Sequence, residues 1–357
     1  MDERVGEDAT IKRLIQWASQ RPDVRAMILT SSRTSPMAPV DLLSDYDVIV
    51  AVNDVRPYFE SRAWLEDFGP LLVLYRDPLR LFHGLARFAC ITQYEDGLKI
   101  DFTLWTAGIL PRVAAEPTLP DELDVGYAVL LDKANLAKDL RPPTYQAHIP
   151  KPPAEAQYLE AIELFFHEAT YAAKYLWRDD LVAAKDILDH GIKVGYLRQM
   201  LEWMIEIDHG WTLKPGAYGR YLKHYLRPAI WNQLEETYVG ASLEENWRAL
   251  FKTADLFRLA AQEVGEYLGY TYPADLDRRA TAYLEWVRSL DRQASPLALE
   301  RRRLVVEAGR FEPLLADPNP TSIQTDAAIE ELRAIRMRIH AIDRQLAQAE
   351  QPDDRGD

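Results

Sequence analysis

The chain has 357 residues, 48% hydrophobic and 10% aromatic, a composition that excludes a disordered polymer and suits two folded domains. Its formal net charge of −14 argues against the basic groove of a nucleic-acid enzyme and favours a small cationic partner. The single cysteine, Cys90, leaves no internal disulfide or cysteine-zinc cluster. No apolar run approaches the ~20 residues that cross a bilayer, and the polar start Met1-Asp2-Glu3-Arg4 has no signal-peptide core. The expectation is a soluble cytoplasmic protein, monomer or homodimer, that binds neither nucleic acid nor membrane.

In chain order, residues 10–20 read as an amphipathic helix capped by Thr10, with apolar positions at 11, 14, 15 and 18. Residues 24–29 read as a strand, followed by the Ser/Thr segment 30–35 and a loop carrying Pro36 and Pro39. The apolar run 46–52 predicts a second strand. Helical or irregular material over 54–68 ends at Gly69-Pro70, and 71–75 reads as a third strand. Asp96-Gly97 between the runs 88–94 and 98–104 predicts a hairpin with positive φ at both central residues. In its second strand Leu98, Ile100, Phe102 and Leu104 share one face, Asp101 and Thr103 the other. An aspartate inside a strand goes against propensity, so something requires it there.

A proline-rich linker spans 141–153, and beyond it the periodicity is helical, over 157–178, 180–208, 218–240 and 244–268. The tail from Asp291 carries Arg301-Arg302-Arg303, prolines at 313, 318 and 320, and then an apolar stripe at Ile329, Leu332, Ile335, Ile339, Ile342 and Leu346. At under three heptads that stripe reads as packing on its own domain in preference to a coiled-coil seam. The fold class is therefore α/β (α+β): a small mixed sheet over 1–145, a helical bundle over 154–290 and a helical tail over 291–357.

The chemistry concentrates in three acids. Asp45 and Asp47 stand at i and i+2 where a loop becomes a strand, so both carboxylates face one point. Carboxylates that close repel unless a cation sits between them. Mg²⁺, a hard ion that takes carboxylates together with substrate phosphates, suits the pair. Asp101 in the later strand is the candidate third member. Of the other candidates, His167 reads as a packing residue. Glu202 and Glu206, four apart on one helix face, could meet a cationic group or simply be solvated.

A strand, a Ser-Ser turn, a strand with Asp-x-Asp and a strand with one Asp resembles the DNA polymerase β-like nucleotidyltransferases. The runs Leu29-Thr30-Ser31-Ser32-Arg33-Thr34-Ser35, Asp41-Leu42-Leu43-Ser44-Asp45-Tyr46-Asp47-Val48, Trp64-Leu65-Glu66-Asp67-Phe68-Gly69 and Leu98-Lys99-Ile100-Asp101-Phe102-Thr103-Leu104 look more narrowly like the aminoglycoside 6-adenylyltransferase (streptomycin adenylyltransferase) family. So do Tyr171-Ala172-Ala173-Lys174-Tyr175-Leu176-Trp177-Arg178, Leu213-Lys214-Pro215-Gly216-Ala217-Tyr218 and Asn246-Trp247-Arg248-Ala249-Leu250-Phe251. The likeness is colinear over about 8–290 and leaves out the tail.

This resemblance implies transfer of AMP from ATP to an aminoglycoside hydroxyl, with release of pyrophosphate, in a cleft between the two domains. It implies Asp45 and Asp47 as Mg²⁺ ligands, Asp101 as third carboxylate and general base, and Ser31 and Ser32 as the triphosphate turn. Arg33 and Lys174 are implied to neutralise phosphate charge. Ser31 stands where the family has glycine; if its φ is positive, strain of about 1 kcal/mol follows. Three alternatives stay open: another small cationic or protein acceptor, a silent nucleotide-binding protein, and an interaction module built on the tail.

Overall fold

A computed structural model describes residues 8–36, 39–214, 216–311, 313 and 322–349. The N-terminal tetrapeptide, Pro215 and the prolines at 318 and 320 lie outside the described residues. The apolar runs of the first half form a seven-stranded mixed sheet. Its strands are β1 (Val24–Thr30), β2 (Tyr46–Val52), β3 (Leu71–Arg76), β4 (Arg80–Phe82), β5 (Leu85–Tyr94), β6 (Lys99–Thr106) and β7 (Tyr127–Asp132). They lie in the order β3-β5-β6-β2-β1-β7, with β4 on β5. Only β2 and β6 run parallel.

The central strands are buried on both faces, which is why β2 is an almost unbroken apolar run. Val48, Val50 and Val52 join Ile100, Phe102 and Leu104 in one core, covered by Leu14, Trp17, Leu65 and Phe68. Ile49 and Ala51 turn the other way and pack with Ile28, Trp105, Ile109, Leu110 and Val113. The alternation expected for the 98–104 strand is present, with Ile100, Phe102 and Leu104 on one side.

Several local expectations need correction. The first helix (Ala9–Ser19) is capped by Asp8, not Thr10: the Asp8 carboxylate accepts from the Thr10 N–H at 2.8 Å and the Ile11 N–H at 3.1 Å. In the hairpin only Gly97 has positive φ, at 91°. The Gly97 N–H donates to the Tyr94 carbonyl (3.1 Å) and the Tyr94 N–H to the Leu98 carbonyl (2.8 Å). The loop is thus three residues ending in a left-handed glycine, the bulged form of hairpin, and not the two-residue form. The stretch 218–240 is not one helix. It breaks between Leu222–Tyr225 and Pro228–Glu235, because the residue before a proline resists helical ψ.

The chain divides into two compact units, one holding the chain up to Pro152 together with Leu201–Arg227, the other Pro153–Met200 together with Pro228 onward. In the second unit the helices Glu155–Arg178 and Leu243–Leu268 stack Phe165 on Phe257 with ring centroids 3.7 Å apart. A Cβ on Gly265 would lie 2.5 Å from the Tyr158 hydroxyl, so that crossing requires glycine. The helix entered at Leu181 is π-helical over Asp186–Leu197 before continuing as Arg198–Asp208. In the tail, Ile335 and Ile342 of helix Ser322–Ala349 pack on Leu304 of helix Leu297–Gly309, so the apolar stripe has its partner next door in the chain. Among the described residues no helix is long and apolar enough to cross a membrane.

Candidate active site

The register of the parallel pair builds the site. β2 and β6 set Asp47 directly beside Asp101, and Thr30 at the end of β1 pairs with Asp47 from the other side. Asp45 lies two residues upstream, where the loop enters β2. Asp45, Asp47 and Asp101 each offer a carboxylate oxygen, and these atoms all lie within 4.8 Å of one another. Asp47 and Asp101 continue the rows that deeper in the sheet hold Ile49, Ala51 and Trp105, so the acids occupy the end of an otherwise apolar face.

Crowding three acids in half-buried surroundings has an electrostatic consequence. Burial, and then the charges of Asp45 and Asp101, push the Asp47 carboxyl up to about 6, against a hydrogen bond from the Ser31 hydroxyl that favours the carboxylate. Asp101 is raised as well, by burial first, with Lys99 opposing. Its Oδ1 is buried and closes no hydrogen bond of good geometry with the protein, although the Thr92 backbone N–H favours the carboxylate form.

Lys99 was not singled out from the sequence, yet it is the closest cation to the cluster. Its Nζ donates to Asp45 Oδ2 at 2.6 Å and to Asp101 Oδ2 at 2.8 Å. Burial lowers its proton affinity, but the two aspartates outweigh burial and raise it overall. The signal was available: Lys99 and Asp101 are i and i+2 on one strand and so share a face.

The Ser-Ser turn sits beside these groups. Ser31–Arg33 forms a single 3₁₀ turn, and its first residue has φ +67°, the left-handed backbone in which a Cβ is disfavoured. The Ser31 carbonyl accepts from the N–H groups of Thr34 and Ser35, both at 3.1 Å, which closes the turn. A Cβ on Gly126 would lie 2.9 Å from the Thr34 carbonyl oxygen, so glycine there lets the start of β7 press against the turn. Asp124 then ties down the following loop by accepting from the Thr144 N–H and hydroxyl, each at 2.7 Å.

Arg33 is engaged by the protein itself. Its guanidinium donates to the Asp45 carbonyl (2.9 Å) and the Ser44 carbonyl (2.7 Å) and lies 3.7 Å from the Tyr46 ring centre. It fastens the backbone that presents Asp45. Lys174 belongs to the second unit, where its ammonium rests 4.0 Å from the Tyr171 ring centre. Glu206, read as a binding or solvated acid, is fully buried, and its Oε2 accepts from the Leu213 N–H at 3.2 Å. A further cation missed from the sequence is Lys214, whose buried Nζ has no hydrogen-bond partner.

Residues 6–287 match the family described as Streptomycin adenylyltransferase. The chain belongs to that family. The relatives of this adenylyltransferase include the aminoglycoside 6-adenylyltransferase of Bacillus subtilis, 31% identical over 276 residues, which covers 76% of this chain and 94% of the relative. The enzyme of the same name from Campylobacter jejuni is 27% identical over 263 residues, 73% of this chain and 88% of its own. A crystal structure of an aminoglycoside 6-adenyltransferase from Bacillus subtilis aligns at 25% identity over 78% of this chain and 97% of its own, with a TM-score of 0.38. The adenylyltransferase match ends before the tail hairpin, so those two helices are an addition to the family's extent in this chain.

Proposed function

We propose that this adenylyltransferase moves AMP from ATP to a hydroxyl of an aminoglycoside such as streptomycin, releasing pyrophosphate with Mg²⁺ as cofactor. The observation that carries the reading is the meeting of Asp45, Asp47 and Asp101 within 4.8 Å, next to the Ser31–Arg33 turn. The donor set suits the ion: three converging carboxylates are hard oxygen ligands of the kind Mg²⁺ takes. Asp45, Asp47 and Asp101 would hold it, and when bound it supplies neutralisation of the phosphate charge that develops in the in-line displacement.

The chain's own groups do the rest. The Ser31 and Ser32 turn holds the polyphosphate, with Arg33 fixing the loop behind it. Asp101 takes the proton of the acceptor hydroxyl. The acceptor oxygen then bonds to the α-phosphorus as the bond to pyrophosphate breaks. The net charge of −14 draws in a polycationic drug and repels polynucleotides.

The test is pyrophosphate release from ATP and Mg²⁺ with streptomycin present, with mass analysis of the drug. One adenylyl group added to streptomycin or another aminoglycoside is the expected result. ATP binding by calorimetry with no pyrophosphate across an aminoglycoside panel would instead support a nucleotide-binding protein without turnover. The positive φ at Ser31 is the one observation that favours this second reading.

A further inference from the structure

Three carboxylates at this spacing do not hold together unaided, since like charges that close raise one another's energy. Within the chain itself, an ammonium supplies offsetting charge. The Lys99 ammonium contacts Asp45, presented by a loop, and Asp101, presented by β6, at 2.6 and 2.8 Å. It therefore ties two separate elements of the cluster together. Its side chain is 32% exposed, so it is seated at the mouth of the cluster with a route out to solvent. Within Asp101 it is Oδ2 that takes the ammonium.

We infer that Lys99 is a resident counter-ion that a divalent cation must displace from Asp45 and Asp101. The inference rests on the proposed metal-holding role of the three aspartates. A divalent ion and an ammonium compete for the same carboxylate charge and repel each other, so both do not keep these contacts together. Lysine suits exchange better than arginine would: a point charge on a flexible four-carbon stem leaves without breaking a bidentate fork. Lys99 acts here as a positioning residue. It keeps the acids assembled between turnovers, at the expense of weaker metal binding in the absence of nucleotide.

Two measurements on the full chain test this. Metal-free wild type and Lys99→Met are titrated with Mn²⁺, free metal being read by electron paramagnetic resonance. The variant should bind about tenfold more tightly, equivalent to about 1.4 kcal/mol; equal or weaker binding overturns the inference. In the wild type alone, acetylation of Lys99 by an N-hydroxysuccinimide ester is followed by peptide mass spectrometry. Labelling should rise several-fold when Mg²⁺ is added, and labelling that stays level or falls overturns the inference even if the variant does not fold. Tight and equal Mn²⁺ binding by both proteins removes only the displacement by Lys99. Binding by neither removes the metal site itself, and the inference with it.

Discussion

Replacing Asp47 by asparagine should stabilise the metal-free protein while abolishing its activity. The Asp47 carboxyl is pushed from 3.8 to about 6, chiefly by burial. At 1.36 kcal/mol per unit, that gap corresponds to about 3 kcal/mol against the ionised side chain, which solvent at the half-buried cluster screens to about 1–2 kcal/mol. The folded value lies above the unfolded one. The penalty is therefore absent below pH 3.8, grows between 3.8 and about 6, and is complete above. Asp47→Asn removes the charge and should gain about 1–2 kcal/mol at pH 8 and roughly half of that at pH 5. Urea unfolding in the presence of a chelator reads both values. Added Mg²⁺ should reverse the order, stabilising the wild type and not the variant, and pyrophosphate release should be lost. A variant less stable than wild type at pH 8, or a gain that does not shrink with acid, refutes the electrostatic argument.

The same titration predicts that affinity for Mn²⁺ is flat above pH 6 and falls by up to about tenfold per unit below it, as protonated Asp47 must release its proton; calorimetry in buffers of different ionisation heat measures the proton released. Ser31→Ala and Ser31→Gly both lose the hydroxyl that bonds Asp47, but only glycine relieves the +67° backbone. The glycine variant should be the more stable by about 0.5–1 kcal/mol, and denaturant midpoints that coincide would count against strain at Ser31. Asp124→Asn should cost about 1–3 kcal/mol at pH 7 by leaving donors of the 144–147 loop unmet. Because its hydrogen bonds to Thr144 hold Asp124 below the usual carboxylate value despite burial, that difference should begin to shrink as pH falls below about 4 and vanish only below the lowered folded value; a difference as large at pH 3 as at pH 7 would refute it.

What could be read from the sequence was whatever short-range pattern decides. The run 46–52 is apolar because β2 is buried on both faces, and the alternation in β6 exposes Asp101 as an exception that needs a reason. β4 escaped notice because three residues carry no periodicity, and β7 because Tyr127–Asp132 is a mostly part-exposed edge strand. The Asp-Gly pair marked the hairpin, but its loop length follows from which residues close the ladder, and Tyr94 pairing with Leu98 is a tertiary choice. Asp8 was overlooked as the cap in favour of Thr10, although both are capping types two residues apart. Glu202 and Glu206 look alike in sequence, and only packing buries Glu206. Lys99 was legible by period two alone, yet a lysine at a strand entrance is commonplace on a solvated edge. Its importance comes from Asp45, a residue 54 positions away.

The pairing of Asp47 with Asp101 also acts as a check on assembly. Side chains alternate along β6, so a slip of one position against β2 would swing Asp101 into the layer occupied by Phe102 and Leu104, and expel those two from it. Such a chain would lose its interior along with its acids. Misaligned molecules therefore fail to fold rather than persist as intact but inert copies, and whatever selects for a sound hydrophobic interior selects at the same time for aligned carboxylates.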